Sequence, residues 1–475
     1  MRKVQNQQLK PGELAIKDIQ LDPKSRDDIV KVLLGLQHLY TKKKKKLFKI
    51  LKKHFRPKTD HDTGRPGMDI WNIFVLGVLK QGMGCDLDRI HNLANSHREV
   101  REMMGHDSFV DHTYYELQTI AGNISLLSEE MLHEINQLVV KEGHTLVGKK
   151  SGEALRGRCD SFVVETDVHY PTDVSLLWDS MRCMIRHAGG VAKKHKITGW
   201  RQWKKLMRKV RSLYNCVSTR GRRSKKRVEA YLAVCRELVV RIDGMLVELQ
   251  LRYGKASVCH MQELHSLLFF KAYAEKFIDQ VDRRLLKGEK IPQQEKIFSI
   301  FEEHTRWCAK GKAGKPVELG VPVCIVEDQH QFILHHKVMF TGQDVDVAVP
   351  IIEETREMYS DLRVCSFDRG FHSPENRERL DKLLVVNALP RKGRLNKADQ
   401  ALESEEGFVE ARRQHPAVES AINALDHRGL DRVRTHGALG FARTVALSIL
   451  ASNFHQLGRL LQSSGSRRKQ LRRAA

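Results

Sequence analysis

The sequence has no run of about 18 apolar residues and no apolar block near its N-terminus, so neither a membrane-spanning helix nor a signal peptide is expected. Paired cysteines are also missing. The nine cysteines stand singly at 85, 159, 183, 216, 235, 259, 308, 324 and 365, with no Cys-x-x-Cys among them. A zinc finger or a disulfide framework is therefore not expected, and most of these thiols read as small buried apolar groups. The neighbours His335 and His336, and the pair His260 and His265, lack the spacing that sets two imidazoles on one helical face, so they receive no metal role. Acidic residues are scarce relative to basic ones, 58 against 82, for a formal charge of +24. That balance favours a polyanionic partner, although a ribosome-associated or merely basic protein meets it equally. The expectation is a soluble, cytoplasmic protein.

With 475 residues the chain is long enough for two to four domains, or for one core with large insertions. The first sixty residues read as a basic amphipathic helix, in which Lys42 to Lys46, Lys49, Lys52, Lys53 and Arg56 interleave with Leu47, Phe48, Ile50, Leu51 and Phe55. After the turn signal at Gly64 to Gly67, residues 70–83 are nearly all apolar and predict a buried helix. Two more helices are expected, from about 85 and over 114–141, closing a helical domain near 145. Residues 161–168 carry the β-branched and aromatic pattern of a strand. The stretch 176–301 then reads as almost wholly helical, most clearly where apolar residues at 228, 231, 232, 235, 239, 242, 246 and 249 keep a 3.6-residue period.

Basic residues are densest within this helical stretch: Lys193, Lys194, Lys204, Lys205, Arg222, Arg223, Lys225 and Lys226, with Trp200 and Trp203 among them for stacking or anchoring. A charged surface accounts for any one of them, but the combination fits contact with a phosphate backbone. Strand pattern returns at 321–327 and 331–339 as a hairpin, followed by a helix over 349–359, strands at 362–367 and 383–389, and helices from Pro416 and near Ala438. The strand 362–367 delivers Asp368 to its tip, ahead of the Arg369-Gly370 turn. Carboxylates at strand ends suit Mg²⁺, which takes oxygen ligands and keeps several waters. Two such ions can activate a nucleophile and stabilise a leaving oxygen in phosphodiester chemistry. Taken alone, an Asp-Arg-Gly tripeptide is an ordinary turn.

The sequence resembles bacterial DDE insertion-sequence transposases over most of residues 60–460. CDSFVVETDVHYPTDVSLL, from Cys159, is similar to the first catalytic strand of that family, with Asp160, Glu165 and the cluster Tyr170 to Asp173 in matching places and Phe162 where threonine is usual. Lys315 to Gly320 resembles the lead into the next strands, and VCSFDRGFHSPENRERL, from Val364, the strand with the second aspartate. Arg412-Arg413, Val418-Glu419, Arg428-Gly429, Arg432, Arg434 and His436-Gly437 match the pattern around the third acid.

The resemblance implies an α/β protein with an RNase H-like catalytic core, an N-terminal helical DNA-binding domain (1–145) and a basic all-helical insertion (176–305) after the first core strand. The core would comprise 146–175 and 306–462, with a basic tail at 463–475. It also implies metal-dependent cleavage and strand transfer at the inverted-repeat ends of a mobile element. Asp160, Asp368 and Glu419 would hold Mg²⁺ or Mn²⁺, and Arg369, Lys392 and Arg394 would touch phosphates. The partners would be double-stranded DNA, both element ends and target, and a second copy of the chain, in a prokaryotic nucleoid. Asp167 is the rival to Asp160, since seven residues along a regular strand it would face the opposite side; the Asp-Ser spacing and Glu165 favour Asp160. The alternatives are an RNase H-like nuclease without strand transfer and a non-enzymatic DNA-binding descendant of a transposase.

Overall fold

In this computed structural model the described residues are 3–5, 9, 12–55, 67–107, 112–219, 221, 223–259, 261–309 and 317–474. Arg56, the turn at 64–66, Arg222, His260 and Lys315-Pro316 lie outside them. The chain divides into two compact units, Met1–Asp167 with Cys308–Ala475, and Val168–Trp307.

The first unit opens with helices α1 (Asp28–Phe55), α2 (Ile70–Gly82), α3 (Leu87–Ser96), α4 (Arg98–Met103), α5 (Leu117–Ile124) and α6 (Glu129–Val147). Helix α2 is buried along nearly its whole length, as its unbroken apolar sequence requires. Helix α1 buries Leu47, Leu51 and Phe55 under the lysine-rich face and is kinked at Lys43. The single helix expected over 114–141 is instead α5 and α6. The chain breaks where the Ser128 hydroxyl accepts the Met131 amide and starts a new helix.

Strand β1 (Leu155–Thr166) follows, and after the second unit come β2 (Arg306–Ala309), β3 (Val317–Asp328) and β4 (Ile333–Val338). Strand β1 begins six residues before its expected start. The charges that hid this stretch are paired: Arg156 with Glu410 at 2.6 Å, and Arg158 with Glu327 at 3.2 Å and with the Asp328 carbonyl. The second unit carries α7 (Asp173–His195), α8 (Trp203–Ser218), α9 (Lys225–Tyr253), α10 (Lys255–Cys259) and α11 (Gln262–Val281), packed about Leu177, Met184, Tyr231, Cys235, Leu267 and Phe277. The periodic stretch 228–249 lies within α9.

Back in the first unit, the chain runs through α12 (Asp344–Met358), β5 (Leu362–Phe367), α13 (Pro374–Leu383), β6 (Val386–Ala388), α14 (Lys397–Glu403), α15 (Glu406–Gln414), α16 (Ala417–Leu425), β7 (Arg432–Val433) and α17 (Ala438–Ala474). Helix α12 starts five residues before its expected start, because Gln343 and Asp346 form a reciprocal cap upstream of Pro350. The sheet order is β2-β3-β1-β5-β6, with β4 on β3 and β7 on β1. Strand β1 pairs antiparallel with β3 and parallel with β5, β3 pairs antiparallel with β4, and β5 pairs parallel with β6. The fold is therefore α/β with a mixed sheet and a helix-rich N-terminal region.

One apolar cluster joins the N-terminal helices to Leu155, Cys159, Cys324, Val326 and Phe367. A second gathers Phe162, Val164, Val323 and Ile325 against Val418, Leu425 and Phe441. Helix α17 serves both, with Leu450 and Phe454 in the first and Val445 and Ile449 in the second. Cys85, Cys159, Cys183, Cys235, Cys324 and Cys365 are buried free thiols. Among the described residues no helix is long and apolar enough to cross a membrane.

Candidate active site

In the parallel pairing of β1 and β5, Cys159 stands opposite Phe367. The next residue on each is an aspartate, Asp160 and Asp368, so the two carboxylates leave neighbouring strands on the same face. Asp160 is half-buried in the middle of β1, where its Oδ1 accepts the Ser161 amide at 2.7 Å. Asp368 is exposed, at the point where β5 turns into a short 3-10 segment (Arg369–Phe371). That turn is held from inside: Phe371 is buried, and the Asn376 side-chain amide donates to the Phe371 carbonyl at 2.9 Å and to that of Val345 at 2.7 Å. Ser373 caps α13 by accepting the Asn376 amide at 3.0 Å, which fixes the chain on the far side.

Helix α15 carries Arg412 and α16 carries Glu419. Arg412 donates to the Phe367 carbonyl, the residue just before Asp368. Burial pulls its guanidinium below arginine's ordinary range, while Asp368 and, more weakly, Asp160 hold it charged. One cation thus lies in the field of both aspartates. His415 is buried below, its Nδ1 3.0 Å from the Ser366 hydroxyl. Burial first, then Arg412, hold its pKa down to about 4, so the imidazole is neutral. Pro416 opens α16, whose Val418 and Leu425 pack with Phe162 and Val164 of β1. Phe162 and Val164 share the face of Asp160 by strand alternation. Glu419, next to Val418, is exposed in the first turn of this helix.

Two groups near these acids were not foreseen. Asp344, the first residue of α12, accepts from the Ser161 hydroxyl at 2.6 Å, and a Cβ on Gly370 would lie 3.0 Å from its other oxygen. It therefore sits between the Asp160 strand and the Asp368 turn. Reading Gln343 and Asp346 as a cap would have found it. His415 had no signal beyond preceding a proline.

Asp167 is not in mid-strand, contrary to the alternative reading. It is exposed beyond the end of β1, 3.8 Å from Arg432, which also donates to Glu165 at 3.0 Å. Arg369 is exposed beside Asp368, and Lys392 and Arg394 are exposed between β6 and α14. The other basic candidates belong to the helical unit: Lys193 and Lys194 end α7, Lys204 and Lys205 start α8, Arg223 precedes the Ser224 cap of α9, and Lys225 and Lys226 start α9. Lys194 is paired with Glu263 at 2.7 Å, and Arg223 donates to the Val217 carbonyl at 2.8 Å. The tryptophans anchor: Trp200 is buried under the Arg241 guanidinium, and Trp203 fills the space over Gly189.

No curated protein and no solved structure matches the chain. Residues 281–454 match the family model described as the transposase DDE domain, a stretch that includes Asp344, Asp368, Arg412, His415 and Glu419. On that match, residues 281–454 are similar to the transposase DDE domain.

Proposed function

We propose that this protein cleaves DNA at the inverted-repeat ends of a mobile element and joins the freed ends to a target, with Asp160, Asp368 and Glu419 as the metal-holding carboxylates. The observation that supports the reading is the parallel register of β1 and β5, in which Cys159 stands opposite Phe367 and the next residue on each strand is Asp160 or Asp368. The strand arrangement supports an RNase H-like core: a central first strand, two antiparallel strands to one side and two parallel strands to the other. All three proposed donors are carboxylate oxygens, a chemistry that fits Mg²⁺ or Mn²⁺. A divalent ion held there supplies Lewis acidity to the phosphodiester.

The protein's own groups do the rest. The Asn376 bonds and the buried Phe371 keep the Asp368 carboxylate in place, and the Phe367 carbonyl orients Arg412 toward an incoming phosphate. Neutral His415 adds no competing charge beneath the site. The exposed lysines at the starts of α8 and α9 offer a phosphate-binding surface, and DNA with two ends calls for two copies of the chain.

The test uses purified protein, Mg²⁺ or Mn²⁺, and labelled duplexes carrying the DNA that flanks this reading frame. Asp160→Asn, Asp368→Asn and Glu419→Gln are each expected to lose cleavage by on the order of 10³-fold, the several kcal/mol that a metal-held charge contributes. Asp167→Asn should cut normally. If Asp368→Asn still cleaved and joined ends as the unaltered protein does, the mechanism would fail. Cut ends that are never joined would instead identify a nuclease.

A further inference from the structure

We infer a second metal site, built from Glu129, His133 and His336, that takes a zinc-class transition ion and not magnesium. Glu129 and His133 stand four residues apart at the start of α6, on one face of the helix. Strand β4 supplies His336 from some two hundred residues downstream. The ligand atoms of the three side chains all lie within 4.8 Å of one another. The two imidazole rings are stacked, centroids 4.3 Å apart and planes 8° from parallel, and His133 Nε2 is 3.7 Å from the Glu129 carboxylate.

What makes this more than a surface cluster is His336. It is 4% exposed, and neither of its ring nitrogens has a hydrogen-bond partner. A buried imidazole normally satisfies at least one nitrogen, because leaving both bare forfeits the hydration each had in water. A cation that accepts one nitrogen's lone pair removes the deficit at that nitrogen. The neighbouring His335 is held by Glu354, 2.9 Å from its Nε2.

The donor set decides the metal. Two imidazole nitrogens and one carboxylate oxygen suit Zn²⁺, Co²⁺ or Ni²⁺, whereas Mg²⁺ takes oxygen. Tetrahedral ligands about 2.0–2.1 Å from an ion lie roughly 3.4 Å apart, and because imidazole lone pairs lie in the ring planes, binding one ion turns the two rings out of their parallel stack. Three protein ligands leave a fourth position for water. The site ties α6 to β4, and the cross-strand row Asp160, Ile325, His336 runs through it, two strands or roughly 10 Å from the Asp160 backbone. The adjacency of His335 and His336 excludes a site within that pair only. It does not exclude one shared with a helix.

The experiment uses untagged full-length protein stripped with EDTA and titrated with Co²⁺, read by the visible d–d bands and by metal content after gel filtration. One ion per chain with a tetrahedral or five-coordinate spectrum is expected. His133→Ala and Glu129→Gln, both at half-buried positions that spare the core, should bind at least tenfold more weakly. Asp160→Asn and Asp368→Asn should bind as the unaltered protein does. The inference is overturned if no Co²⁺ or Zn²⁺ binds, if the His133 and Glu129 variants bind normally, or if the spectrum is lost with Asp368→Asn.

Discussion

The pH dependence of the segment that carries Glu419 can be worked out from His415. This imidazole is buried, and its pKa is held down from an ordinary 6.5 to about 4, first by burial and then by Arg412, with Arg158 of β1 adding and Asp368 opposing. In the unfolded chain it takes up a proton near pH 6.5, whereas in the fold it waits until about 4. Between those values the unfolded state binds more protons, so the stabilisation is fully present above pH 6.5 and declines as the pH falls. A shift of two to three units at about 1.4 kcal/mol each gives a loss of about 3 kcal/mol by pH 4. His415→Gln keeps a partner for Ser366 and cannot charge. Hydrogen exchange of the amides in 406–425, corrected for intrinsic rates, gives the local opening free energy of both proteins between pH 7 and 4. The stability difference between them should shrink by about 3 kcal/mol across that range. Other titrating groups are common to both and cancel. A difference that stays constant with pH would refute a neutral, buried His415.

Two further outcomes follow from the geometry. A Cβ on Gly320 would lie 2.1 Å from the Val164 backbone carbonyl, so Gly320→Ala must push β3 from β1 at the pair Glu165 and Gly320; thermal unfolding should show a loss of at least about 1–3 kcal/mol, and an unchanged midpoint would mean that the strands have slack there. Replacing Lys204, Lys205, Lys225 and Lys226 by alanine should weaken duplex binding and flatten the plot of log affinity against log salt by about 0.9 for each phosphate no longer neutralised, measured by anisotropy; an unaltered slope would place DNA elsewhere.

Features written in neighbouring residues were legible. The apolar run of α2, the 3.6-residue period inside α9 and the strand Leu362–Phe367 with Asp368 at its tip all follow from local pattern. The boundaries at α6 and α12 turned on local caps, whereas the early start of β1 hung on partners distant in sequence. Arg156 and Arg158 look unlike strand residues until Glu410 and Glu327 neutralise them, and Trp200 looks like a stacking platform until the helical core closes over it.

The sequence by itself determined the element types, the basic character and the strand-tip aspartate, because periodicity, charge and turn chemistry act over a few residues. Only the tertiary structure decided that Asp160 and not Asp167 stands beside Asp368, that Asp344 and His415 flank them, and that His336 meets Glu129 and His133. Those meetings depend on strand register and helix packing. Both are settled by the burial of whole faces, and no short stretch of sequence encodes them.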